Sequence, residues 1–549
     1  MTDEASLNLS TRQREFVESP IEEILLIAPA GCGKTEALAA RVAFLVRTHQ
    51  VQVPRKALAL SFSNKAKANL ASRLRTTLGG GWNRHADVMN LHGFSARIIQ
   101  AHGKAIGLNA DLVLPDKVWY QRACQSVGVN FRNSSQFEEA MRIAKSGPAS
   151  DHLVMERLME LNNPIAIRFE SLIRDEGRLD FNDLLRHGGR ILEVDAVREI
   201  YRGHFQVILV DEVQDLSWDQ YELVKSVSAG RASYAGDPAQ GIYTFAGAEP
   251  DRIIEDIRSA ATRVIELNEC HRSSPAVIRA INVIARRMGS TELECASPGK
   301  FPGGGVVATV RSNDPDVESV IIVDNVRRLL KQDQSLSIGI VVRRGTRLSS
   351  VRDRLDGVDL TYEDWTAPTH VAAVVELMVR NVVEAEAFSM EVPEQIQQLQ
   401  ALCLNSVEDW DIDLIGEVIA ACEAMAEQVR RGLTLRQAVQ TCKRAINIDS
   451  PVSSGIHLLN AHLGKGQEFD WVMVMGLENG LVPDFRATDM NAQEEELRTL
   501  HVMLSRARIG LAITAANMQF TQYGSRNVEL SPWWEEIAAC ATESWTSLV

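Results

Sequence analysis

No Cys-x-x-Cys pair and no cysteine–histidine cluster occurs among the eight cysteines, Cys32, Cys124, Cys270, Cys295, Cys403, Cys422, Cys442 and Cys540. That spacing argues against structural zinc or an iron–sulfur cluster and predicts reduced thiols. Positive charge is short as well: 58 lysines and arginines face 72 aspartates and glutamates, a formal net charge of −14. Such a protein does not coat nucleic acid through its global field. Any such contact has to come from a local basic and aromatic groove. No apolar run reaches membrane-spanning length, and the opening residues, Met-Thr-Asp-Glu-Ala-Ser, lack an apolar signal core. A soluble, cytoplasmic protein is predicted. Fixed-period repeats and low-complexity tracts are missing. So is a second acidic cluster with a lysine, the constellation a metal-dependent nuclease needs.

What is present is alternation. At 549 residues, 45% of them hydrophobic, the chain is too long for one core and ordinary for a soluble protein of several domains. Ile24–Ile27, Leu58–Ser61, Val207–Val210 and Ser233–Ala235 read as buried parallel strands. Thr35–Val46 and Asn64–Leu74 read as helices between them. That is an α/β doubly wound pattern, with ligands expected at the carboxyl ends of the strands. From His92 to Arg178 the pattern is helical, which predicts an insertion. A second α/β pattern is read from Val264 through Val306–Val310, Ile338–Val342, Trp471–Met475 and Leu511–Thr514. Within it, Thr361–Ser450 is helix-rich, with an acidic run at Val407–Asp413. Phe301-Pro-Gly-Gly-Gly-Val306 reads as a turn entering a strand.

Two stretches carry chemistry. Ala28–Thr35 reads Ala-Pro-Ala-Gly-Cys-Gly-Lys-Thr after an apolar strand, with Ala28 where the common phosphate loop has its first glycine. Ala30, Gly31, Cys32 and Gly33 form the loop, and the two glycines let backbone approach an oxyanion at a helix N-terminus. Lys34 is placed to reach the β- and γ-phosphates of ATP and Thr35 to hold Mg²⁺. The second stretch, Ile208–Asp215, ends a strand in Asp211-Glu212 followed by Val213-Gln214-Asp215. Asp211 suits Mg²⁺, and Glu212 suits taking the proton from an attacking water. A phosphate loop alone binds a nucleotide; with the carboxylates it predicts hydrolysis.

Further motifs recur in order along the chain, which here resembles superfamily 1 helicases of the UvrD/Rep/PcrA type. Leu9-Ser-Thr-Arg-Gln13 resembles the adenine-reading motif, with Gln13 as reader. Ser61-Phe62-Ser-Asn64-Lys65-Ala66 and Asn90-Leu-His92-Gly93 resemble segments that hold single-stranded DNA. Leu179-Asp-Phe-Asn-Asp-Leu-Leu185 resembles the approach to the Asp-Glu strand. Gly236-Asp-Pro-Ala-Gln240-Gly-Ile-Tyr243-Thr-Phe245 is similar to the segment coupling the γ-phosphate to DNA. Its Gln240 is then the phosphate sensor, and Tyr243 and Phe245 stack on bases. Cys270-His271-Arg272-Ser, His462-Leu-Gly-Lys-Gly-Gln-Glu468-Phe and Val502-Met-Leu-Ser-Arg506-Ala complete the set. The resemblance makes Arg272 and Arg506 contacts to ATP, with Arg506 as arginine finger, adds Glu468 to the nucleotide contacts and His462 to the DNA contacts.

The resemblance implies two RecA-like doubly wound motor domains with helical insertions. The first would span 1–92 and 178–262 with an insertion at 93–177; the second would span 263–360 and 451–549 with a reduced insertion at 361–450. It implies a DNA-dependent ATPase that moves 3′→5′ on single-stranded or partially duplex DNA. Departures stand at Glu36 and His271, where an arginine and a tyrosine usually sandwich adenine. Ala246 stands where an arginine follows the stacking aromatic, and Asn460 where a threonine precedes the histidine. Compact helicases of this kind also occur beside OLD-family nucleases in antiphage systems of the Gabija type. The alternative reading is therefore a nucleotide-gated DNA-sensing subunit that controls a partner nuclease.

Overall fold

Apolar runs short enough to be strands and fully shielded from water build the first sheet. The structure, a computed structural model, describes residues 9–62, 64–108, 113, 117–130, 133–358, 360–366, 369–370, 372–388, 391–404, 418, 421–422, 425, 429, 434–441, 443–444, 452–463, 465–521 and 524–544. A first compact unit takes in Met1–Ala308, Val482–Leu511 and Pro532–Glu543; a second takes in Thr309–Leu481, Ala512–Ser531 and Ser544–Val549. Among the described residues no helix is long and apolar enough to cross a membrane.

In the first unit six strands form a parallel sheet: β1 (Ile24–Ile27), β2 (Lys56–Ser61), β3 (Ala86–Asn90), β4 (Phe205–Val210), β5 (Ala232–Gly236) and β6 (Arg263–Glu266), in the order β3-β2-β4-β5-β1-β6. Every residue of β1 and β5 is buried, as expected of strands covered on both faces. Two edges depart from the sequence expectation. The Val264 stretch, read there as the start of a second α/β pattern, is the edge strand β6 and pairs Ile24 with Arg263. It buries only Ile265, so its side chains carry too little pattern to show which sheet they join. Strand β3 was not foreseen because it is the opposite edge and is mostly half-exposed.

Between β3 and β4 the chain is helical. In order come α1 (Thr11–Glu18), α2 (Lys34–Arg47) and α3 (Asn64–Leu78) before the insertion, then α4 (Leu91–His102), α5 (Lys117–Ser126), α6 (Ser134–Ala144), α7 (Asp151–Glu160), α8 (Pro164–Asp175) and α9 (Phe181–Leu192). Helices α5 to α8 have a core of their own around Phe137, Met141, Val154, Leu158, Phe169 and Ile173. A buried charge cluster fastens this core to α9. Lys145, immediately after α6, sits 2.8 Å from Glu170, 2.9 Å from Asp180 and 2.7 Å from Asp183, all with side chains nearly inaccessible. Burial alone would raise the Asp183 carboxyl, but Lys145 and Arg186 outweigh it and hold it well below the usual carboxylate range. Asp180 and Asp183 also form a capping box at the start of α9.

The second unit has a larger sheet. Strands β7 (Glu269–Cys270) and β8 (Glu294–Cys295) form a short ladder ahead of it in sequence. The sheet combines β9 (Val306–Ser312), β10 (Ser337–Val342) and β11 (Tyr362–Asp364) with later strands. A separate two-residue pair, β12 (Thr369–His370) and β13 (Lys443–Arg444), comes next. It is followed by β14 (Gly455–Asn460), β15 (Phe469–Met475) and β16 (Ala507–Ala516), then a β17 (Met518–Thr521) and β18 (Gly524–Asn527) hairpin and β19 (Glu543–Ser544). The sheet order is β11-β14-β10-β15-β16-β9-β19, and β10 runs parallel to both β14 and β15. Glycine 339 of β10 lies under the Phe469 ring, which a Cβ there would strike at 2.9 Å. Helices Ala372–Phe388, Val392–Leu404 and Leu435–Thr441 bury Val374, Met378, Leu399, Cys403 and Leu435 among themselves. The acidic run Val407–Asp413 lies outside the described residues.

Removing Lys145 leaves buried Asp180 without its cation and takes one of two from Glu170, still paired with Arg174, and from Asp183, still paired with Arg186. Deleting one partner of a buried pair costs about 3–5 kcal/mol. Lys145→Met is therefore expected to loosen the insertion, read as faster amide exchange across α6 to α9. Unchanged protection there would show that the apolar core alone holds it.

Candidate functional site

The phosphate loop is shaped by contacts that only glycine tolerates. Gly31 and Gly33 have φ of 82° and 77°. A Cβ on Gly31 would fall 2.7 Å from Arg272 Cβ and 2.8 Å from Cys270 Sγ, and one on Gly33 would fall 2.6 Å from Gln13 Nε2. The loop is thus pressed from two sides. On one, Gln13 donates from Nε2 to the Cys32 carbonyl at 3.0 Å while forming a capping box with Ser10. On the other, the His271 N–H donates to the Gly31 carbonyl at 2.9 Å and Cys270 Sγ lies 3.6 Å from the Ala30 carbonyl.

Helix α1, which carries Gln13, is held by a residue the sequence reading passed over. Arg41 of α2 is wholly buried, and its guanidinium donates to the carbonyls of Phe16, Ser19 and Pro20 and to Ser233 Oγ. Burial pushes its pKa down to about 10, so it stays charged at neutral pH and satisfies the end of α1. Glu36 and His271 are at the rim. Glu36 pairs with Arg73 of α3 at 2.7 Å, which brings a guanidinium to a position where the motif's usual arginine is absent.

Carboxylates meet the loop at the end of β4. Lys34 Nζ lies 2.6 Å from Glu212 Oε2 and 3.8 Å from Asp211 Oδ1. Burial alone would lower the Lys34 pKa, but Glu212 and Asp211 hold it above its ordinary value. The Asp211 carboxyl is pushed up to about 6 by burial, against Lys34, and accepts from Thr35 Oγ1 at 3.3 Å. Glu212 adopts a left-handed backbone, φ 56°, a conformation that costs a non-glycine residue roughly 1–3 kcal/mol and clusters at functional sites. An anion cradle of backbone N–H groups, a buried ammonium, and a hydroxyl beside a carboxylate are the donor set that Mg²⁺ and a triphosphate require. The residues fit the group.

From Glu212 a line of hydrogen bonds leaves the site. Gln214, fully buried, donates to Glu212 Oε2 at 2.5 Å and accepts from the Asp237 N–H at 3.0 Å. Gln240 then donates to Asp237 Oδ2 at 2.6 Å. Three residues on is Tyr243, whose ring stacks on Phe62 at 5.6 Å and 25° and stands 6.0 Å from Phe245. Phe245 is 69% exposed, a large apolar face turned mostly to solvent. His92 meets Phe181 edge-on at 6.4 Å, and Phe181 was not singled out in the sequence. Asn64 and Lys65 begin α3, but their side chains lie outside the described part of the structure.

Arg272 and Arg506 are joined through their segments. Arg272 donates to the Ser505 carbonyl at 3.3 Å, Ser273 Oγ to the Ala507 carbonyl at 2.7 Å, and Ser274 Oγ to the Ile509 carbonyl at 3.0 Å. Arg506 is buried, which pushes its pKa down to about 10 against the pull of Tyr243. In the second unit, His462 follows β14 and lies 3.0 Å from Arg343, which follows β10. Both therefore stand at carboxyl ends of parallel strands. Asn460 Oδ1 accepts from the N–H groups of His462 and Leu463 at 3.0 and 2.9 Å, a turn for which asparagine is well suited. Glu468 precedes β15 and is half-buried.

Two family models match the chain: the UvrD/REP helicase N-terminal domain over residues 9–261 and the UvrD-like helicase C-terminal domain over residues 386–518. The ATP-dependent DNA helicase UvrD2 of Mycobacterium tuberculosis (strain ATCC 25618 / H37Rv) is 25% identical over 578 residues, covering 94% of this chain and 79% of the relative. The ATP-dependent DNA helicase UvrD1 of the same strain is 30% identical over 311 residues, covering 52% and 40%. The ATP-dependent DNA helicase Rep of Escherichia coli (strain K12) is 23% identical over 641 residues, covering 94% and 92%. With the phosphate loop, the Asp-Glu strand end and these matches in one order, the chain belongs to the UvrD/Rep family of superfamily 1 ATP-dependent DNA helicases.

Proposed function

We propose that this chain hydrolyses Mg-ATP to translocate 3′→5′ along single-stranded DNA. The observation that carries the reading is the hydrogen-bonded line from Glu212 through Gln214 and Asp237 to Gln240. It links a hydrolytic carboxylate to the segment that displays Tyr243 and Phe245. In this reading the backbone of Ala30 to Gly33 and the Lys34 ammonium bind the triphosphate, and Gln13 reads adenine. Thr35 and Asp211 would hold Mg²⁺, which when bound would supply charge neutralisation on the phosphates. Glu212 takes the proton from the attacking water, and Gln240 responds to the phosphate. Arg272, Arg506 and Glu468 complete the nucleotide contacts.

Phe62, Tyr243 and Phe245 then stack on bases, each worth about 1–3 kcal/mol without reading sequence. Asn64, Lys65, His92 and His462 hold the strand. The domain assignment follows the same reading: motor domains at 1–92 with 178–262 and at 263–360 with 451–549, and insertions at 93–177 and 361–450.

Two measurements test this. Arg506→Ala is expected to bind ATP nearly as before and turn it over at least about a hundredfold more slowly, since an arginine finger contributes about 10³–10⁵ in rate. Equal loss of binding and turnover would make Arg506 a ground-state contact. Movement is read with streptavidin on a biotinylated oligonucleotide. A 3′→5′ translocase displaces it from the 5′ end in an ATP-dependent manner and leaves the 3′ end alone. The reverse preference, or no displacement from either end, would overturn the polarity or the translocation.

A further inference from the structure

The aromatic platform has stacking surface, but stacking alone does not hold the charged backbone of a nucleotide in place. An exposed arginine lies beside it. Gly247 closes the turn Thr244–Ala246 that carries Phe245, with φ 92°. A Cβ built on Gly247 would fall 2.9 Å from Cδ of Arg142, 3.5 Å from its Nε and 3.7 Å from its Nη1. Arg142 comes from α6 of the helical insertion, about one hundred residues earlier in sequence. Its side chain is exposed, and no hydrogen bond or ion pair engages its guanidinium among the described residues. Position 246, next to Phe245, is alanine, so the turn itself supplies no cation.

The placement of Arg142 is fixed from below. Lys145, three residues on, caps the end of α6 and is locked to Glu170, Asp180 and Asp183. The knot anchors the end of α6 less than one turn beyond Arg142, and so fixes the helix whose exposed side carries the guanidinium to the turn. A side chain at position 247 would displace it, and glycine both accepts the left-handed turn and leaves the room.

We propose that Arg142 is a backbone contact for single-stranded nucleic acid, gripping the phosphodiester of the nucleotide that stacks on Phe245. This rests on the proposed DNA reading and deepens it: the insertion supplies the cation that the turn lacks. A guanidinium suits this role because its planar fork matches phosphate oxygens bidentately. The helical insertion is then part of the DNA track rather than an appendage to it.

The test is the salt dependence of binding to a fluorescent oligothymidylate, measured on the full chain without nucleotide. Each phosphate contact to a single strand contributes about 0.7 to the slope of log affinity against log salt. Arg142→Ala is expected to weaken binding at low salt and lower the slope by about 0.7, whereas Arg142→Lys, which keeps the charge, retains the slope. Alanine favours helix at an exposed site, so the variant is expected to melt with the parent. If the parent binds and Arg142→Ala matches it in both affinity and slope, the proposal is wrong and the DNA reading stands. If the parent itself does not bind single-stranded DNA, the DNA reading fails and the proposal with it.

Discussion

A lysine ammonium withdrawn from water is costly unless carboxylates meet it, and Lys34 is met by Glu212 and Asp211. This arrangement constrains everything around it. Lys34 starts α2 and the carboxylates follow β4, so the pairing fixes the helix at the carboxyl ends of the strands, where a doubly wound fold binds its ligand. It also leaves the loop no freedom: Gly31 and Gly33 are the residues that fit between Gln13 on one side and the Cys270–Arg272 segment on the other. In the proposed reading, the charges that hold the site together are the ones a triphosphate and its metal would engage, so binding would exchange one set of partners for another.

The same carboxylate begins the path outward. Gln214 is buried and uses both ends of its amide, one on Glu212 and one on the Asp237 backbone. A change in the position of Glu212 therefore acts directly on a buried group already bonded at both ends of its amide. Gln240 and the Tyr243–Phe245 turn follow within a few residues. On the far side of that turn the insertion arrives with Arg142, held by the Lys145 cluster. Two lysines held by carboxylates, Lys34 at the phosphate loop and Lys145 under the insertion, thus bracket the segment between that loop and the aromatic platform.

Much of this was legible in the sequence because the informative residues sit in unbroken runs. Strands β1, β2, β4 and β5 are buried on both faces and read as apolar stretches; the loop and the Asp-Glu strand end follow two of them directly. The edges were not legible. Strand β3 is half-exposed, and β6 buries a single residue, so neither shows a period. Tertiary partners far apart in sequence were also hidden. Arg41 looks like one more helical arginine until its guanidinium is seen collecting the carbonyls at the end of α1. Lys145 looks like a surface lysine, and Arg142 like a solvated one. Arg343 acquires meaning only through the β10–β14 pairing that sets it beside His462. In each case the signal is a contact and not a local pattern, so a single sequence does not contain it.

The most direct measurement is steady-state ATP hydrolysis with and without single-stranded DNA, at low and moderate salt, for the parent and Lys34→Ala. Coupling from Glu212 through Gln240 to the aromatic platform predicts strong stimulation by DNA in the parent, fading as salt rises. It predicts no hydrolysis in Lys34→Ala under any condition. Hydrolysis that is indifferent to DNA would contradict the coupling and favour a nucleotide-gated subunit acting on a partner, and normal turnover by Lys34→Ala would remove the nucleotide site itself.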